Sequence, residues 1–498
     1  MNLPDRRTLA RRTALITLGQ GAVKASQLIA AVVLVRLLSP ESWTKVALVL
    51  SIYLAATTLG AMNLQHGIIY FLPRVETHQQ RALVLQTAGV IATCGVLIAV
   101  GLAVAAPWVG GSTFEARTWL PLLGLAIAIE LPSVCVPAAF IATDRLGLAA
   151  AWDIAMTVVL LTCLVLPAVM GYGVAAIVIG LLVSAIVRLL AFGCVMFTFF
   201  SGRPKGLPKG TLVAQLKFAL PLGLTIAASV LNRTVDKWLV AWMHPERLGV
   251  YTVAAQEIPL LAVLPYAGGA AVVTLVVEAF HRGDLEFARQ AWLRQTAAMS
   301  LVVVPLSMGL IVVGREVIGL AFTGDYLAGV LPFQLFTAIT LHRVAEYGLV
   351  LRAAGRGRAL VRSAVVLLTA NLVLAGIGAA LGGMVGASIG TLTANALAWW
   401  YVLGQVADAF DSSRRESFAW ATWFGAIAAA LIAAVVASVL GTVLADTTLS
   451  MLVVKGCVFA VTYVGLIRVA SVGRVIESLR LRYRDVVRHR EVEGALTS

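Results

Sequence analysis

Asn232, Arg233, Asp236 and Lys237 stand together in the middle of one long apolar run. Helical spacings of three and four put Arg233, Asp236 and Lys237 on one face. Two cations against one anion leave a surplus positive charge. In a water-filled cavity that surplus binds an anion. The alternative is an internal ion pair plus a lysine whose stem reaches to the nearest interface.

Other apolar runs carry similar groups. Gln20, Lys24 and Gln27 form a polar stripe on one helical face. At 1.5 Å per residue, Lys24 lies about 17 Å from the start of its run, too deep to reach water easily. The stripe lines a cavity or bonds to a neighbouring helix. Arg343 and Glu346 are spaced to pair beside His342, and Arg188 stands alone at mid-depth. Either arginine binds an anion or braces a helix. Glu130, Asp153 and Glu257 are deep carboxylates, each a carrier of a coupling ion or a counter-charge for an arginine; Asp236 and Glu346 fall in the same class.

Helices must hold these groups, and lipid must surround the helices. The chain has 498 residues, 60% hydrophobic and 12% charged, with a mean hydropathy of +0.93. No single soluble core buries that much apolar surface. Fourteen runs, from about 13–38 to about 449–469, meet the roughly 20 residues needed to cross a bilayer. With the N-terminus cytoplasmic, about 26 Lys and Arg fall in cytoplasmic segments against about 4 outside, the asymmetry that orients membrane proteins. Both termini are therefore expected inside. Arg36, Trp108, Trp119, Trp238, Trp242, Trp420 and Trp423 fall near run ends, where interfacial anchors belong.

An offset of 205 lays Leu38–Glu41 on Met243–Glu246 and Gln27 on Asn232. Six helices per repeat, an even number, relates the units by an axis along the membrane normal. The expected architecture is all-α: an N-terminal lobe at 1–205, a C-terminal lobe at 206–410, two further helices at 411–470 and a basic cytoplasmic tail at 471–498. Gly378, Gly382, Gly386 and Gly390 allow close helix packing.

The net charge of +14 is spread over short loops, which argues against a nucleic-acid partner. Five cysteines stand singly, so neither a disulfide framework nor a zinc site is expected. No nucleotide-binding loop and no H-E-x-x-H motif occurs, and no cofactor is expected. An enzyme such as a membrane glycosyltransferase or ligase needs a sizeable loop of carboxylates, for which there is little room. A purely structural scaffold is a further alternative.

Arg36-Leu-Leu-Ser-Pro40-Glu41 resembles the helix-closing junction of polysaccharide flippases, with Ser39 in place of a glycine. Gly67-Ile-Ile-Tyr-Phe-Leu-Pro73-Arg74 is similar to the end of their second helix. Pro221, Asn232, Asp236-Lys237 and Gly249-Val-Tyr251-x-x-Ala254 resemble their seventh and eighth. The resemblance is to the Wzx-type branch of the multidrug/oligosaccharidyl-lipid/polysaccharide superfamily. It implies two six-helix lobes around a cavity, two extra helices, and alternating access in a bacterial inner membrane. The implied cargo is an undecaprenyl-pyrophosphate-linked oligosaccharide, with a polysaccharide polymerase and a chain-length regulator as partners. Lys24, Arg233, Lys237 or Arg343 would suit its pyrophosphate. A lipid II flippase or another exporter of the superfamily is the alternative.

Overall fold

The computed structural model describes residues 26, 28–107, 116–200, 207–208 and 210–469. Gln20, Lys24, Gln27 and Trp108 lie outside the described residues. Among those described, every regular element is helical.

The junction motif has a local physical meaning. Helix α1 (Leu28–Leu37) ends, and Ser39 in extended conformation caps α2 (Pro40–Ala61) by accepting from the Ser42 N–H. Pro40 starts the helix and Glu41 lies in its first turn, where an unmatched N–H and a positive dipole favour them. Helix α3 (Leu64–Phe71) follows after Met62 and Asn63, both left-handed. Then come α4 (Thr77–Ala105), α5 (Ala116–Glu130), α6 (Cys135–Ala142), α7 (Leu146–Val169) and α8 (Val174–Thr198). Their buried apolar faces form the largest core, which extends to Ile318, Phe322 and Tyr326.

The second half contains α9 (Thr211–Met243), α10 (Leu248–Ala254), α11 (Pro259–Arg282), α12 (Leu285–Val312), α13 (Gly314–Ala321), α14 (Val330–Ile339) and α15 (Tyr347–Ala353). Helix α16 (Gly357–Ala409) is followed by α17 (Trp420–Leu444) and α18 (Thr448–Val469). Buried side chains of α11, α12, α16, α17 and α18 make a second core. Outward residues such as Val443 and Val461 are more than 70% exposed, as lipid-facing positions are.

Among the described residues, ten helices are long and apolar enough to cross a membrane, or twelve with each bent pair counted as one. Helix α16 counts once there but is two arms. Its 53 residues would stretch about 80 Å if straight, far beyond a bilayer. Gly382 and Gly383 leave helical geometry, Gly383 at φ 56°. A Cβ on Gly378 would lie 2.1 Å from the Gly386 carbonyl oxygen, and one on Gly390 2.2 Å from that of Leu374. In a straight helix those pairs would be about 12 and 24 Å apart. The arms α16a (357–381) and α16b (384–409) therefore form an antiparallel hairpin, and glycine lets their backbones touch. The first of the fourteen expected spans is described only from Ser26 onward.

The two junctions of the 205-residue offset meet. Trp43 Nε1 donates to the Gly249 carbonyl at 3.1 Å, and a Cβ on Gly249 would lie 2.4 Å from Thr44 Oγ1. Thr44 and Gly249 are offset partners of one another. Arg36, expected as an interface anchor, instead donates to the carbonyls of Leu320 and Ala321, capping the C-terminus of α13.

Candidate functional site

Two charged constellations are built, and they differ in whether their charge is already balanced. In the first, Arg188 on α8 lies 3.0 Å from Glu130 at the end of α5. Tyr53 on α2 donates to the other Glu130 oxygen, and Arg188 Nη2 donates to the Met156 carbonyl on α7 at 3.1 Å. Asp153, one turn before Thr157, acts on the same guanidinium. The Glu130 side chain is 7% exposed and that of Arg188 17%. Four helices are tied by these contacts, with Arg188 Nε alone of the guanidinium nitrogens left unbonded, which is the bracing geometry for Arg188 and the counter-charge geometry for Glu130. Replacing Glu130 with Ala leaves a buried guanidinium unpaired, at about 3–5 kcal/mol. We expect that variant to lose most of its thermal stability in detergent, and the Glu130→Leu, Arg188→Met double replacement to recover it.

The second constellation lies on α9 and its neighbours. The α9 quartet splits: Asn232 and Asp236 are buried at 8% and 3% exposure, whereas Arg233 is exposed and Lys237 half-buried. The single face expected for Arg233, Asp236 and Lys237 is thus two faces, one buried and one accessible. Arg233 Nη1 lies 3.7 Å from Glu257, which sits in the unwound link between α10 and α11. Lys237 Nζ donates to the Arg233 carbonyl at 2.6 Å.

Arg343 joins them from a third element. It lies in the non-helical stretch between α14 and α15 and donates to Asn395 Oδ1 on α16b at 3.0 Å. Its charge acts on those of Glu257 and Arg233. Arg343 is exposed although its chain neighbours His342 and Val344 are buried. The expected Arg343–Glu346 pair does not form. Both residues have left helical geometry, which destroys the three-residue spacing, and Glu346 pairs with Arg352 instead. Arg233 and Arg343 thus both act on the Glu257 carboxylate, with Lys237 one turn along α9 from Arg233, and these three cations outnumber the one carboxylate.

Behind this face lies a pocket of oxygens that the sequence reading largely missed. Tyr251 donates to Asp236 Oδ2 at 3.0 Å, with the Thr391 and Ser388 side chains beside the same phenol. Asn371 on α16a donates to the Asn232 carbonyl at 3.0 Å. Asn232 Oδ1, Asp236 Oδ1 and Asn371 Oδ1 are buried with no hydrogen-bond partner. Unmatched buried oxygens cost about 1–3 kcal/mol each, so several together call for a donor or a cation. An all-oxygen set carrying one carboxylate suits a hard cation. Uncharged amides inside apolar runs were the available signal, since Asn371 and Asn395 interrupt such runs as Asp236 does. Among the described residues, no three His, Cys, Asp or Glu are placed to hold a metal ion. The open cleft of about 590 Å³ at Tyr70 offers no free aromatic face, because Arg74 covers the ring at 3.5 Å and Phe218 stacks on it at 4.7 Å.

The same fold occurs in solved transporters. A lipid II flippase MurJ in an inward closed conformation superposes with a TM-score of 0.72 at 13% identity, covering 93% of this chain and 100% of that one. An inward-facing multidrug resistance MATE family transporter of the MOP superfamily matches with a TM-score of 0.63 at 14% identity, covering 79% and 96%. Its outward-facing counterpart matches at 0.53, with 15% identity and coverage of 81% and 97%. No curated protein matches the chain in sequence. The family model described as "Polysaccharide biosynthesis protein" matches residues 9–274, more than half of the sequence. This multi-pass membrane chain therefore belongs to the polysaccharide biosynthesis protein family and has the fold of the solved MOP transporters.

Proposed function

We propose that the protein flips an undecaprenyl-pyrophosphate-linked oligosaccharide from the cytoplasmic to the periplasmic leaflet of a bacterial inner membrane. The observation that carries this reading is the grouping of three cations from two elements: Arg233 lies 3.7 Å from Glu257, Lys237 bonds the Arg233 carbonyl, and Arg343 acts on both Arg233 and Glu257. Phosphate oxygens accept charge-assisted hydrogen bonds from such donors, and a guanidinium fork fits them two at a time. Membership of a polysaccharide biosynthesis family supports a saccharide on the anionic carrier.

The pathway alternates access between two lobes, 1–205 and 206–410, with both termini cytoplasmic. The contact of the offset partners Thr44 and Gly249 supports this division, because equivalent residues that touch lie near the axis relating them. The Asp236 oxygen pocket supplies a coupling-ion site, which fits a transporter with no nucleotide-hydrolysing motif. A polymerase and a chain-length regulator would receive the cargo on the outer face.

The test is deletion of the gene followed by lipid extraction. Undecaprenyl-linked repeat units should accumulate with a cytoplasmic orientation, and a plasmid copy should clear them. Normal lipid turnover in the deletion would reject the reading. A second reading, lipid II transport, is favoured by the likeness to a structure of that name. It requires the gene to sustain growth of a strain depleted of its own lipid II flippase.

A further inference from the structure

The break that presents Arg343 runs from Thr340 to Glu346, and a broken helix leaves carbonyls without their usual donors. The two nearest Arg343 are each taken by an aromatic side chain. Trp423 Nε1 donates to the Leu341 carbonyl at 2.8 Å, and the Tyr347 hydroxyl to that of His342 at 2.8 Å. Trp399 Nε1 donates to the Tyr347 oxygen at 2.9 Å, and its ring stacks on His342 with centroids 5.2 Å apart. One turn before Trp399 stands Asn395, whose amide donates to the Thr391 carbonyl at 2.8 Å, so its oxygen faces the Arg343 guanidinium.

We infer that Trp423, Tyr347 and Trp399 are positioning residues for Arg343, holding the unwound strand so that its guanidinium reaches into the cavity. The inference rests on Arg343 being part of the anion site proposed above. It gives α17, which follows the hairpin α16a and α16b, a part in substrate binding exerted through Arg343, because Trp423 bonds the broken segment. Plain core packing is the competing account, since Trp399, Phe418, Trp420 and Trp423 also touch ring to ring. The cluster contains its own control. Trp420 Nε1 donates to the Arg414 carbonyl at 3.0 Å, on the loop before α17 and not at the break.

The experiment measures binding of farnesyl pyrophosphate, with farnesol as the uncharged comparison, to the full-length protein in nanodiscs. Trp423→Phe and Tyr347→Phe each keep the ring and remove one donor. Each should weaken pyrophosphate-dependent binding about tenfold, while Trp420→Phe changes it less than about twofold. In an Arg343→Ala background, Trp423→Phe should produce no further loss. Equal effects of Trp423→Phe and Trp420→Phe, or an additive loss in the Arg343→Ala background, would overturn the positioning role. If Arg343→Ala alone binds like the wild type, the anion-site reading falls first and takes this inference with it. Tyr347→Phe keeps the test decisive if Trp423→Phe is poorly folded.

Discussion

Arg343→Ala is expected to abolish polysaccharide export while the protein remains at normal level in the membrane. Its guanidinium makes one bond to Asn395 Oδ1, so removal strands no buried carboxylate and need not destabilise the fold. Charge-assisted hydrogen bonds contribute about 1.5–3 kcal/mol, or roughly 10- to 100-fold in affinity for a pyrophosphate carrier. Arg343→Lys keeps the charge but loses the planar fork, and an intermediate affinity should result. Vesicle flipping of a labelled prenyl-pyrophosphate glycan reads both. Wild-type half-saturation in Arg343→Ala would remove this residue from the site and, with it, the central support for an anionic cargo.

Asp236→Asn carries the second large effect. The buried pocket holds one carboxylate among neutral oxygens, so the substitution removes its only formal negative charge and makes it a poor cation site. A ligand binding only the folded state stabilises it by about 2.7 kcal/mol at a hundredfold excess over Kd. One of lithium, sodium or potassium should therefore raise the wild-type melting temperature, and none should raise that of Asp236→Asn. The variant should also flip its cargo without a response to that ion's gradient. Equal shifts in both proteins would place ion binding elsewhere.

The two expectations rest on neighbouring faces of one helix. Residues 232 and 236 are buried and 233 and 237 accessible, so α9 joins the anion face to the cation pocket with no element between them. An ion arriving at Asp236 would thus act on the helix that carries Arg233, a short physical route for coupling.

Membrane insertion, all-helical structure and the positions of the deep charges were legible in the sequence, because hydropathy is a property of each residue and its neighbours along the chain. The close approach at the hairpin was legible too: Gly378, Gly382, Gly386 and Gly390 were expected to let helices pack closely, and the α16 arms touch at Gly378, Gly386 and Gly390 and turn at Gly382 and Gly383. Which cations are free was not legible. Arg188 is neutralised by a carboxylate on α5 and reads identically, one residue at a time, to the unneutralised Arg343. Glu346 stands at pairing distance from Arg343 only in an unbroken helix, and the break that cancels this is stabilised by Trp423 and Trp399, both more than fifty residues away. Chain order determined where charge enters the membrane. Packing between helices decided which charges are quenched and which remain to meet a ligand, because in a medium of low dielectric constant an ion pair is settled by contacts of about 3 Å that no local pattern encodes.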